Sequence, residues 1–179
     1  MAQIHAMIDL ETLSTRPDAV VLTVGGIKFN PYTDDSPYDP LYFKVDVDQQ
    51  NALGRHVMED TINWWATQPE DIQNEALGEG DRESLEDVVK KINRWGVGVD
   101  VWWCQGPLFD YAILQNLYAQ LEKPCPWQYW AIRDSRTLFS LYKETELHKP
   151  DAHNALADCD YQAKKVQRYY RNLNLKTQY

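Results

Sequence analysis

Three runs with β-strand character come first in this chain, and the strands after them are separated by helical patterns. That order restricts the fold more than any single residue does. Residues 4–10 form an apolar run, 19–29 (A-V-V-L-T-V-G-G-I-K-F) are rich in β-branched side chains, and 41–47 alternate. A turn-rich segment, N-P-Y-T-D-D-S-P-Y-D-P, joins the second and third runs. Three consecutive strands with short connections predict an antiparallel meander. Helical patterning follows: 59–67 carry Trp64 and Trp65, and 82–95 place Leu85, Val88, Val89, Ile92 and Trp95 at helical spacing. A fourth strand over 99–104 is broken by Gly106-Pro107. Proline suits a first helical turn, so a helix over 107–121 is expected. A short fifth strand at 131–132 precedes a helix over 135–142, and a last helix should span 154–170. The prediction is a single α/β domain over residues 1–179. Its mixed β-sheet has three antiparallel strands plus two parallel ones, flanked by α-helices.

The first strand raises a chemical question. In I-H-A-M-I-D-L-E-T-L, Asp9 and Glu11 interrupt an apolar stretch one residue apart. Strand side chains alternate, so both acids share a face while Ile8 and Leu10 share the other. Adjacent like charges repel, and burying either unpaired is costly. A cation resolves the conflict, and so does exposure to water. Two further places carry acids in telling contexts. Asp110 lies just past a strand-to-turn-to-helix junction, where α/β sheets commonly build sites. His153 precedes Asp158 by five residues at the start of the last helix. Singly, each has a bland reading: an exposed strand edge, a helix cap, a surface histidine.

Composition narrows the classes. An apolar fraction of 44% with seven tryptophans indicates a folded chain. With 18 basic and 27 acidic residues the formal net charge is -9, which disfavours nonspecific phosphate binding unless metal ions or a local basic patch reverse the field. Cys104, Cys125 and Cys159 have no C-x-x-C spacing and read as reduced thiols. No leader pattern and no window resembling a membrane span is present, so a cytoplasmic protein without a membrane partner is expected.

Taken in order, the acids become specific. D-L-E-T (Asp9 to Thr12), F-D after a strand (Phe109-Asp110) and H-N-A-L-A-D (His153 to Asp158) resemble the three motifs of the DEDDh 3′–5′ exonuclease superfamily, the RNase T/DnaQ-like group with a ribonuclease H-like fold. The wider resemblance is to small phage and prophage exonucleases and to mycobacterial exoribonuclease-like domains. It is carried by Trp64-Trp65, by W-C-Q-G-P-L-F-D (Trp103 to Asp110) and by R-D-S-R-T (Arg133 to Thr137), and it extends from Ile4 to about Tyr170. Many superfamily members have an H-N pair before the second-motif acid. Cys104-Gln105-Gly106 stands there instead, which fits the phage-type branch better than the proofreading branch.

The resemblance implies a fold, a reaction and roles. Phosphodiester hydrolysis builds charge that two divalent ions about 4 Å apart can stabilise, and hard ions such as Mg²⁺ or Mn²⁺ call for carboxylates. By resemblance Asp9 would bridge two ions, Glu11 and Asp158 would complete one site, and Asp110 would help hold the other. His153 would be the general base toward the attacking water, for which histidine's ordinary pKa near 6.5 is suited. Leu10, Thr12, Trp65 (or Trp64) and Phe109 would touch the terminal nucleotide, although core packing is an open alternative for the tryptophans and for Phe109. Lys164, Arg168 and Arg171 form a helical stripe that reads first as a solvated face and second as a phosphate contact. The partner would be a DNA or RNA 3′ end, with nucleoside 5′-monophosphates as products; a homodimer stays open. Three alternatives compete: an exoribonuclease trimming RNA 3′ ends, an inactive nucleotide-binding module, and a metal-free hydrolase with paired carboxylates. The last explains two acids but not the other two or the histidine.

Overall fold

A computed structural model describes residues 3–141 and 153–176. The meander is present: β1 (His5–Thr12), β2 (Val21–Phe29) and β3 (Tyr38–Val45) pair antiparallel in sequence. Then come α1 (Val47–Ala52), α2 (Glu59–Trp65), α3 (Glu70–Leu77), β4 (Arg82–Glu83), α4 (Leu85–Trp95) and β5 (Val101–Cys104). The chain continues through α5 (Asp110–Gln120), β6 (Ile132–Asp134), α6 (Ser135–Phe139) and α7 (Ala155–Asn172). The sheet runs β4-β3-β2-β1-β5-β6, with β5 parallel to β1 and β6 parallel to β5. The expected three antiparallel plus two parallel strands are all there, and β4 adds a sixth, parallel to β3.

β4 comes from residues that the helical periodicity assigned to the following helix. Arg82 explains the difference. Its two terminal nitrogens donate to the carbonyls of Leu22, Val45, Ala76 and Gly78 at 2.9–3.2 Å, which holds the backbone extended against β3. Ser84 then starts α4 by accepting from the Asp87 amide, and Leu85, Val88, Val89, Ile92 and Trp95 bury the predicted stripe. Proline 107 likewise sits before its helix rather than in its first turn. Gly106, at φ 123°, makes the turn, and α5 begins at Asp110. Tyr142, the predicted end of α6, lies outside the described residues.

The two faces of β1 enter different cores. Ala6, Ile8 and Leu10 pack with α4 and α5, against Trp102, Tyr111 and Leu114. Met7 packs on the other side with Cys159, Ala163 and Val166 of α7. Small residues let α7 lie close on that face, and Gly25 takes the approach to its limit. A Cβ there would sit 2.3 Å from the Ala155 carbonyl carbon and 2.5 Å from the Leu156 nitrogen. Gly25 also pairs with Asp9 across the sheet, so the start of α7 lands beside the first acid. Gly25→Ala should therefore push α7 outward and destabilise the protein by about 1–3 kcal/mol, as overpacking does elsewhere. Denaturant unfolding measures that loss, and Asp158 should move away from Asp9 with it.

Candidate active site

Asp9 and Glu11 project from the β1 face that α7 covers, and Asp158 comes from the first turn of α7. One oxygen from each of these three carboxylates lies within 4.8 Å of the other two. Asn154 fixes the entry by capping α7, accepting from the Leu156 and Ala157 amides at 3.1 and 3.0 Å. Gln162, one turn beyond Asp158, donates its amide to Asp9 Oδ1 at 3.0 Å and so orients that acid. Asp110 arrives from the other side of the sheet. It is 3% exposed, and its Oδ1 accepts the Leu10 N–H at 3.2 Å. Burial first, and then the charge of Asp9, hold its carboxyl well above the usual carboxylate range.

Oxygen ligands at roughly 2.0–2.6 Å from a divalent ion can be no more than about 4–5 Å apart. The Asp9, Glu11 and Asp158 oxygens meet that limit. Hard anionic donors, partly desolvated and mutually repelling, fit Mg²⁺, Mn²⁺ or a similar cation better than they fit any neutral ligand. Asp110 stands beyond this group of three but within the electrostatic reach of Asp9, where it could serve a neighbouring ion.

A cleft of about 420 Å³ opens beside the acids, lined by Leu10, Glu11, Thr12, Met58, Thr61, Trp64 and Phe109 among others. His153 stands at its edge, with its ring perpendicular to that of Trp64 and the centroids 4.8 Å apart. Its backbone is left-handed at φ 67°, a conformation histidine tolerates at some strain and one that turns the chain into α7.

A 3′–5′ exoribonuclease family model, described as the Rv2179c-like domain, matches residues 4–170. The chain belongs to that family. No curated protein matches it in sequence. Among solved structures, cell-death related nuclease 4 (CRN-4) superposes with a TM-score of 0.62 at 16% identity, over 96% of this chain and 64% of that one. E. coli exonuclease I in complex with a dA16 oligonucleotide gives 0.66 at 13% identity, over 96% of this chain and 43% of that one. The zinc-bound form of the same enzyme with single-stranded DNA gives 0.68 at 13% identity, over 97% and 41%. This Rv2179c-like chain thus spans under two thirds of CRN-4 and about two fifths of exonuclease I, and shares with them the ribonuclease H-like fold.

In the Rv2179c-like chain the two tryptophans divide their work. Trp65 is 1% exposed, packs with Leu22 and Ala76, and donates its indole N–H to the Thr12 carbonyl at 2.9 Å. A base cannot stack on it, which corrects the expectation that Trp65 touches substrate; the ring at the cleft is Trp64, 40% exposed. Adjacent helical residues face different ways, and the sequence did not fix the rotation of so short a helix. Trp64→Ala should raise KM roughly 5-fold or more, as loss of a base-stacking ring does, with little change in melting temperature. Trp65→Ala should instead cost about 3–5 kcal/mol of stability. Steady-state kinetics alongside calorimetry separate the two.

Other motif residues prove structural. Asp134 caps α6, accepting from the Arg136 amide and the Thr137 hydroxyl, while Ser135 and Arg136 donate to the Cys104 and Gln105 carbonyls. Residues Asp134 to Thr137 therefore brace the turn that presents Asp110. Lys164 pairs with Asp160 and Arg171 with Asp34, as a solvated stripe would. Cys104 and Cys159 are buried, and burial drives both thiols up, away from nucleophilic use. Among the described residues, no helix is long and apolar enough to cross a membrane.

Proposed function

We propose that this protein is a divalent-metal-dependent 3′–5′ exonuclease that shortens RNA from its 3′ end and releases nucleoside 5′-monophosphates. The observation that carries the reading is the approach of the Asp9, Glu11 and Asp158 carboxylates to within 4.8 Å, with Asp110 beside them, in a chain of an exoribonuclease family. Asp9, Glu11, Asp110 and Asp158 would hold two cations, which supply charge to stabilise the phosphorane-like transition state and to acidify water. The protein's own groups do the rest. Leu10, Phe109 and Trp64 form an apolar wall for the terminal base, and the backbone around Thr12, braced by its hydroxyl donating to the Ser14 carbonyl at 2.7 Å, takes the sugar. His153, at the mouth, accepts a proton from the water that attacks phosphorus while the bond to the 3′ oxygen of the preceding nucleotide breaks.

Matched 5′-labelled RNA and DNA oligonucleotides, single-stranded and duplex, test this with Mn²⁺, Mg²⁺ or EDTA. A stepwise ladder on RNA that needs metal is the expected result. A ladder on DNA alone would transfer the activity to the substrate of the exonuclease I complexes. No ladder on any substrate would leave a binding module.

A further inference from the structure

The same face of β1 carries a second site at its other end. His5 lies four residues before Asp9, about 13 Å along the strand, with Met7 between them. It closes a pocket of about 370 Å³ whose lining includes Gln3, Tyr32, Arg133, Tyr170 and Lys176. The imidazole is 2% exposed. Its Nδ1 accepts the Trp103 indole N–H at 3.0 Å, which leaves the proton on Nε2, a buried donor with no acceptor among the described residues. Burial, then the nearby Arg133 guanidinium, push its pKa down to about 4, against a smaller opposing pull from Asp100, so the ring is neutral at pH 7. Asp100 itself accepts the Ile4 N–H at 3.0 Å and does not line the pocket. Arg133 spends one terminal nitrogen on the Trp130 and Ile132 carbonyls, and neither it nor Lys176 pairs with a carboxylate among the described residues.

Two cations and an unmet buried donor in a protein of net charge -9 mark a local reversal of sign. Such donors are rarely left without a partner, and a phosphate offers acceptors to all three groups at once. Tyr32 and Tyr170, edge to face at 5.2 Å, add an aromatic wall. The volume lies at the lower end of small-ligand pockets, which suits a mononucleotide rather than a strand. We propose that this pocket binds a nucleoside monophosphate, with its phosphate on Arg133, Lys176 and His5 Nε2–H and its base against the tyrosines.

The proposal stands apart from the exonuclease reading, because binding can be read in EDTA without turnover. Imidazole ¹H–¹⁵N NMR of the full chain follows His5, identified by its proximity to the Trp103 indole proton. AMP should shift both signals with a midpoint of roughly 1 mM or below, and inorganic phosphate should need on the order of tenfold more. Lys176→Glu, on an exposed side chain, and Arg133→Gln should each weaken AMP binding about tenfold or more and leave oligonucleotide cleavage unchanged. Silence of the His5 signal toward AMP, equal binding of phosphate and AMP, or shifts that survive both substitutions would each overturn the assignment.

Discussion

Asp9→Asn should reduce cleavage by at least about a thousandfold and, in EDTA, raise the melting temperature of the same protein. The two effects have one cause. Asp9 shares a space of 4.8 Å with Glu11 and Asp158, and its charge also lifts the carboxyl of Asp110. Three carboxylates at that separation store repulsion, so removing one charge should stabilise the cation-free fold by on the order of 1 kcal/mol. Asparagine keeps the shape and keeps an oxygen for the Gln162 amide, so the fold has no reason to fail. The wild type should gain about 3 kcal/mol of stability from cation at a hundredfold excess over its dissociation constant. The variant should lose most of that gain. Thermal melts with and without Mn²⁺, set beside oligonucleotide ladders, measure all three quantities. A variant that cleaves at the wild-type rate, or that still melts higher with Mn²⁺ by the wild-type margin, would rule out a cation held by Asp9.

The sequence made the chemistry of the site more legible than its support. Asp9 and Glu11 at i and i+2 are readable because strand geometry alone puts them on one face. The core stripe of α4 is readable because Leu85 to Trp95 repeat at helical spacing. What escaped depends on contacts between distant positions or on signals too short to register. α1 buries only Gln50, whose amide brackets the Val21 backbone, and α3 buries only Ala76, so neither shows an apolar stripe. The bond from Gln162 to Asp9 joins residues 153 apart, and that from Leu10 to Asp110 joins residues 100 apart. Gly25 was visible only as one of two glycines in a strand, a pattern that signals close backbone approach without naming what approaches. Here it is the first turn of α7, and the position of Asp158 depends on it.

His153→Asn separates the proposed general base from the carboxylates proposed to hold the cations. Asparagine tolerates the left-handed backbone at φ 67° better than most residues, so the entry into α7 should persist. Turnover should fall by about 10²–10⁴-fold, the usual contribution of a positioned base. Stabilisation by Mn²⁺ should stay intact, in contrast to Asp9→Asn, because His153 stands at the edge of the cleft against Trp64 and not among the clustered carboxylates. If the variant instead lost its Mn²⁺-dependent rise in melting temperature, His153 would be part of the cation site, and proton transfer would need another acceptor.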